Sequence, residues 1–275
     1  MKIYKVYLIG FIIFSIVPSF SQNSNKLVDK DSSYVKLIDS FHSSDEYYQK
    51  LNSMTIDELK HTAKVVFESE DKDPLIINNA NRDRHQFNLS PTQFKTRLIE
   101  SLKLRQSKLD YILLKAPCLI KAKILDIKKS NYKVLGGPPG TPPITLLRID
   151  ITVHIDEIFK GNGYFKEKDT TTFYYFPNWR PTNWNFNIGE TCLLPLQPLI
   201  DNTSNEVLVA LVAWLDNQGK DNNEIDSKDG ASYGRYPIIN DEIIDRSNSF
   251  GAGTKVKWEK FRSLIINEID KIKSW

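Results

Sequence analysis

The sequence predicts an α+β protein, in which an antiparallel β-sheet is preceded by an amphipathic helical segment and followed by a C-terminal helix. Two observations predict this class. Apolar residues recur at helical spacing before Pro117, and after it they alternate with polar residues, as in strands that bury one face. The chain has 275 residues, 40% of them hydrophobic, which is enough apolar material for one or two packed domains.

The first residues have the three parts of a secretory signal peptide. Lys2 and Lys5 form a basic start, an apolar run follows, and Ser19–Ser21 supplies small residues before a cut at Gln22. The apolar run is shorter than the ~20 residues that a permanent membrane helix needs. We expect residues 1–21 to be cleaved, which makes the protein secreted or periplasmic with no transmembrane span; an uncleaved anchor is the alternative.

The charge balance limits the class of partner. Residues 1–21 contain two lysines and no acidic residue, so the rest of the chain has a formal charge of +1 instead of +3. Nucleic-acid binding normally needs a basic excess on one face. We therefore expect a protein or glycan ligand and no nucleic acid, and no pattern predicts an oligomeric state.

The helical segment is predicted over residues 34–116, after a polar, flexible tail at 22–33. A Thr-x-x-Glu capping box at residues 55–58 marks one helix start, because each of its side chains satisfies a backbone N–H group. A Ser-Pro pair at residues 90–91 marks a second start, and that helix reaches nearly to Pro117.

Residues 117–216 predict the sheet. After a first strand from Cys118 and a Gly-Pro-rich loop, apolar residues alternate with polar ones from Leu147 to Asp156. Further strands are predicted over 170–176, 191–196 and 207–215. Residues 217–275 predict a long polar loop and then a C-terminal helix, beginning near Thr254, that packs back on these strands through one apolar face.

Three short motifs in this strand region resemble those of a known fold. They are IKAKI at 120–124, IFKG at 158–161 and GETCLL at 189–194. In this order they resemble the netrin-type barrel of tissue inhibitors of metalloproteinases and of various exported bacterial proteins. The resemblance covers residues 118–196 and implies an OB-like antiparallel β-barrel.

The sequence departs from that family at two positions, since Ala122 replaces the usual Gly and Cys192 the usual Tyr. Metalloproteinase inhibitors also act through a cysteine at the mature N-terminus, whereas this chain is expected to begin at Gln22. The resemblance therefore implies a fold and not that inhibitory mechanism.

The two cysteines, Cys118 and Cys192, lie 74 positions apart in a chain that we expect to be exported. An oxidising compartment favours one structural disulfide between them, which would contribute roughly 4 kcal/mol by restricting the unfolded chain. The alternative is two buried thiols that act as small hydrophobic side chains.

Two groups of residues are candidates for ligand binding. Asp150 and His154 lie with Asp156 on the polar face of the long strand, where they would bind a cation or orient a proton carrier. The alternative for these three is a solvated strand face.

The second group is aromatic: Tyr175, Trp179, Arg180 and Trp184 belong to a cluster of rings beside polar side chains. Such rings stack on sugars or hold a peptide. The alternative is that they fill the barrel interior.

No catalytic motif, metal-ligand spacing or cofactor motif is present in the sequence. We therefore expect an exported, non-enzymatic binding or protein-interaction module without a metal or cofactor. The alternatives are a cell-envelope hydrolase whose site leaves no motif, and a protease inhibitor.

Overall fold

The computed structural model describes residues 44–74, 98–99, 101–102, 108–134, 142, 144–175, 186–200, 207–211, 235–246 and 248–275. The helices are α1 (Ser44–Ser53), α2 (Ile56–Lys72), α3 (Lys108–Lys115) and α4 (Trp258–Ser274). The strands are β1 (Cys118–Val134), β2 (Ile144–Lys160), β3 (Thr170–Tyr175), β4 (Thr191–Ile200), β5 (Val207–Leu211), β6 (Tyr236–Ile239), β7 (Glu242–Ile244) and β8 (Lys255–Lys257). The α+β class is confirmed. The signal peptide and the flexible tail predicted at 1–33 lie outside the described residues.

Helix α2 begins as its sequence predicts. The Thr55 hydroxyl accepts a hydrogen bond from the Glu58 backbone N–H (3.3 Å), and the Glu58 carboxylate accepts one from the Thr55 backbone N–H (2.7 Å). This reciprocal pair is a capping box. One face of the helix is buried, through Leu59, Thr62, Ala63, Val66, Phe67 and Glu70.

The described strands form one sheet in the order β1-β2-β3-β5-β4-β6-β7-β8. Strand β4 also pairs with β1, so residues 119–123 of β1 have neighbours on both sides. All pairings are antiparallel except that of β3 with β5. Leu125 lies at a register shift in β1, and its side chain is exposed.

The alternation along the strands separates two hydrophobic cores. Side chains such as Ile120, Ile151 and Leu194 share one core among the strands. Leu119, Phe159 and Leu193 face the other way and pack with the helices in a second core. Because a strand turns successive side chains to opposite faces, one sheet serves both cores.

A buried ion pair joins the helices to the end of β2. The Lys160 ammonium donates hydrogen bonds to Glu70 Oε2 (2.9 Å) and to the backbone carbonyls of Leu113 (3.0 Å) and Ala116 (2.9 Å). It also lies 4.4 Å from the centre of the Phe67 ring. Both charged side chains are almost fully buried, with 1% of Lys160 and none of Glu70 exposed.

The turn after Lys160 docks on the end of α2. The Asp71 carboxylate accepts backbone hydrogen bonds from Gly161 (2.7 Å) and Asn162 (3.1 Å), and Gly163 N–H donates to the Asp71 carbonyl (2.8 Å). A Cβ atom on Gly163 would lie 1.7 Å from the Lys72 carbonyl oxygen. The close approach of turn and helix therefore requires glycine at position 163.

The end of the chain differs in detail from the sequence prediction. Strands β6, β7 and β8 were not predicted; β6 and β7 form a hairpin in which Asn240 and Asp241 both have positive φ. Helix α4 begins at Trp258 instead of near Thr254, because residues 255–257 pair with β7. The predicted apolar face of this helix is confirmed as buried, and Trp258 contacts Phe159 edge to face at 6.0 Å between ring centres.

None of the helices in the described ranges combines the length and hydropathy that crossing a membrane would need.

Candidate functional site

The outer surface of β1, β2 and β3 carries the polar residues that the alternation predicts. Ile149, Ile151 and Val153 of β2 are buried in the core among the strands, so the residues between them face outward. Antiparallel pairing then sets the neighbours across strands: Arg148 lies opposite Ser130, and Asp150 lies opposite Tyr174. Residues far apart in the sequence meet on this surface.

Five of these side chains form one connected cluster, which we call the tyrosine–arginine cluster: Ser130, Tyr132, Arg148, Asp150 and Tyr174. Arg148 Nε donates to Asp150 Oδ1 (2.6 Å), and Ser130 Oγ donates to Asp150 Oδ2 (3.0 Å). The guanidinium carbon of Arg148 lies 5.7 Å from the centre of the Tyr132 ring and 5.0 Å from that of Tyr174. Both distances are within the range of cation–π attraction.

The cluster is half-buried, with 22% of the Arg148 side chain and 17% of the Asp150 side chain exposed. A charge-assisted hydrogen bond and two ring contacts restrict the rotamers of Arg148. The cluster therefore presents a fixed combination of donor, acceptor and aromatic surface.

The same face continues with polar pairs beside the cluster. Lys128 forms an ion pair with Asp126 (3.2 Å), and the hydroxyls of Thr152 and Thr172 lie 3.0 Å apart. The two cations near the centre of the face, Arg148 and Lys128, are thus each paired with an aspartate. The face is polar and its central charges balance.

The structure does not bring Asp150 and His154 together. They lie four residues apart on one extended strand, which separates them by about 13 Å, and His154 pairs across the strands with Lys123 and Thr170. Among the described residues, no group of three or more His, Cys, Asp or Glu side chains is arranged to hold a metal ion. Asp150 enters the candidate site as the partner of Arg148, not of His154.

The proposed ligand-binding role of Tyr175 is corrected. Its side chain is only 9% exposed and belongs to the core among the strands, 5.6 Å from Phe186 between ring centres. Burial raises the pKa of its hydroxyl to about 12. Successive residues of a strand point to opposite faces, so Tyr175 fills the interior while its neighbour Tyr174 faces outward. Trp179, Arg180 and Trp184 lie outside the described residues.

The predicted disulfide between Cys118 and Cys192 is not formed. Both lie in the core among the strands, but Cys118 pairs with Leu196 and Cys192 with Ala122. This register offset of four residues separates them by about 13 Å along the strands, and a disulfide needs Cα atoms within about 7 Å. Burial raises the pKa of the Cys192 thiol, which is the property of a packing cysteine and not of a reactive one.

A second ionic cluster lies between α3 and α4. Asp110 Oδ2 accepts a hydrogen bond from the Lys271 ammonium (3.2 Å), and Lys271 also forms an ion pair with Glu268. Burial, followed by the neighbouring Glu268 carboxyl, raises the pKa of Asp110 to about 7. This cluster joins two helices and has no part in the outer face of β1–β3.

Sequence reasoning singled out Asp150 but missed Tyr132, Arg148 and Tyr174. The available signal was the alternation of β2, which places Arg148 on the same face as Asp150. The two tyrosines required the strand register, which the sequence alone did not provide.

Comparisons of this chain with protein-family models, with curated proteins and with solved structures found no match.

Proposed function

We propose that this chain is an exported, non-enzymatic binding module built on an OB-like barrel. The strand pairings β1–β2–β3–β5–β4, with β4 paired again to β1, support the barrel, as does the parallel contact of β3 with β5. An OB-fold is a five-stranded Greek-key barrel, and its ligands lie across the face of its second and third strands. In this chain that face bears the tyrosine–arginine cluster.

The fixed position of Arg148 is the observation that carries the proposal. On a surface that only contacts solvent, holding an arginine side chain in a single conformation contributes little to stability, because it costs conformational entropy. Here Asp150 holds its Nε while Tyr132 and Tyr174 flank its guanidinium. Such preorganisation lowers the entropy that a ligand would otherwise lose when it orders the site.

The composition of the cluster favours binding over catalysis. Its hydroxyl nucleophile candidate, Ser130, donates to Asp150, and the histidine of this face, His154, lies opposite Lys123 and Thr170 in the strand register, six β2 positions from Arg148, which is the residue opposite Ser130. Acyl transfer by a serine needs a base within hydrogen-bond reach that is itself oriented by a third group. The proposal therefore assigns Arg148 and its neighbours to recognition.

A ligand screen tests the proposal. The full chain is screened against a panel of oligosaccharides and a random-peptide display library, beside Arg148→Met and Arg262→Met. The control residue Arg262 also pairs with a carboxylate, Glu157 (2.7 Å), but lies on α4. We expect binding that Arg148→Met weakens about tenfold or more and that Arg262→Met leaves unchanged. Absence of any ligand, or equal binding by both variants, would contradict the proposal.

Export is tested separately by the mass of the chain recovered outside the cytoplasm of an expressing bacterium. We expect a chain that begins at Gln22. Recovery of the intact chain from the cytoplasm alone would contradict this part of the proposal.

A further inference from the structure

We infer that the ligand of the tyrosine–arginine cluster is a neutral oligosaccharide, held by two aromatic ring faces and by the paired donor and acceptor of Arg148 and Asp150. This inference rests on the proposed binding function and names the ligand class for the same face.

The balance of charge at the cluster disfavours an anionic ligand. A carboxylate that is paired with an arginine compensates part of the positive charge that would attract an anionic ligand. Here the Asp150 carboxylate lies 2.6 Å from Arg148 Nε in a half-buried pair, and Asp126 lies 3.2 Å from the next cation, Lys128, in an exposed pair. An incoming anion would meet two carboxylates as well as two cations. A neutral ligand meets no such repulsion.

The hydrogen-bonding groups match a pair of neighbouring sugar hydroxyls. Among the described residues, Arg148 hydrogen-bonds only to Asp150, through Nε, so its terminal nitrogens keep donors for a ligand. Each oxygen of Asp150 accepts one hydrogen bond, from Arg148 and Ser130, and a carboxylate oxygen has a second lone pair. A hydroxyl both donates and accepts, so adjacent hydroxyls can bond the arginine and the aspartate together.

The rings supply the apolar part of the same ligand. Tyr132 and Tyr174 lie on either side of Arg148, with their ring centres 5.7 Å and 5.0 Å from its guanidinium carbon. Both side chains are partly exposed. An aromatic ring offers a rigid apolar surface at low entropic cost, and the C–H face of a pyranose ring is the complementary surface. A chain of sugars would cover both rings and the polar pair between them.

Calorimetric titration of the full chain tests this inference with four neutral hexasaccharides (cellohexaose, maltohexaose, mannohexaose and chitohexaose) and one acidic probe, hexagalacturonate. We expect at least one neutral probe to bind and hexagalacturonate to bind at least tenfold more weakly. Tyr174→Thr should weaken the neutral complex about tenfold, because it removes a ring but keeps a strand-forming residue. The matched variant Tyr174→Phe keeps the ring and should change the affinity less than threefold. Circular dichroism of each variant checks that the fold is retained.

The outcomes separate the ligand class from the binding function. If hexagalacturonate is the only sugar that binds, and Tyr174→Thr abolishes its binding, the inference that the ligand is neutral is wrong but the face is still a binding site. The same conclusion follows if no sugar binds and peptides bind only when Arg148 is present. If no sugar and no peptide binds, both the ligand class and the proposed function are wrong. Neutral binding that Tyr174→Thr leaves unchanged would overturn the location.

Discussion

Lys160 should be among the residues on which the stability of this chain depends most. The variant Lys160→Met keeps much of the side-chain volume but removes the ammonium, which makes three hydrogen bonds of 2.9–3.0 Å. It would leave the Glu70 carboxylate buried without the cation that now bonds to it, and two backbone carbonyls without that donor. Removing one partner of a buried ion pair costs about 3–5 kcal/mol.

Against a total stability of about 5–15 kcal/mol, this is a large loss. It corresponds to a fall of roughly 6–20 °C in the midpoint of thermal unfolding, at about 2–4 °C per kcal/mol for a chain of this size. The control is Lys121→Met, which removes a partly exposed lysine 4.8 Å from the Trp258 ring centre and should cost about 0.5–1 kcal/mol. Urea and thermal unfolding, followed by circular dichroism, measure both.

A second variant separates the buried charge from the lost packing. Adding Glu70→Gln to Lys160→Met replaces the buried carboxylate by a neutral amide, so the double variant should recover about 1–2 kcal/mol relative to Lys160→Met. The reasoning is refuted if Lys160→Met unfolds at the same temperature as Lys121→Met. It is also refuted if the double variant is less stable than Lys160→Met.

Two further predictions concern pH and packing. The pKa of Asp110 is raised to about 7 in the folded chain from 3.8, so this group favours folding below about pH 4, and that contribution is lost as the pH rises through 7. The contribution is at most a few kcal/mol, at about 1.4 kcal/mol per pKa unit. Glu268 offsets part of it: burial raises the pKa of Glu268, but hydrogen bonds from Asp110 and Lys271 outweigh burial and lower that pKa. When the pH rises from 4 to 8, the free energy of unfolding in urea should fall less in Asp110→Asn than in the wild type. An equal fall in both proteins would contradict this. Gly163→Ala should cost about 3 kcal/mol or more, because its Cβ would overlap a backbone oxygen. Gly189→Ala, with positive φ but open space, should cost only about 1–2 kcal/mol, and equal losses of thermal stability would contradict the packing argument.

Local patterns predicted those parts of the fold that local physics determines. The capping box of α2 depends on residues three positions apart, and the buried face of β2 depends on strict alternation, so both were correct. The apolar face of α4 follows from its 3.6-residue period. Its start was wrong because the pairing of residues 255–257 with β7 is a tertiary contact.

The candidate site depended on information that the sequence does not carry locally. Arg148 meets Tyr174 because two strands pair in one register, and a shift by a single residue would turn Tyr174 inward and Tyr175 outward. The same register separates Cys118 from Cys192, whose predicted pairing rested on the expectation that the chain is exported. In the sequence Lys160 is only part of the IFKG motif at 158–161, and its role in the core required the position of Glu70, 90 residues earlier.

The central claim is that the outer face of β1–β3 recognises a ligand through Arg148. Chemical-shift mapping of the isotope-labelled chain, titrated with the neutral hexasaccharide that binds most tightly, tests it directly. The Nε–H signal of Arg148 and the backbone amides of Thr152 and Tyr174 should move together and saturate at one dissociation constant, while the amides of α4 remain unchanged. Saturating shifts confined to α4, or binding that leaves the Arg148 signal in place, would contradict it.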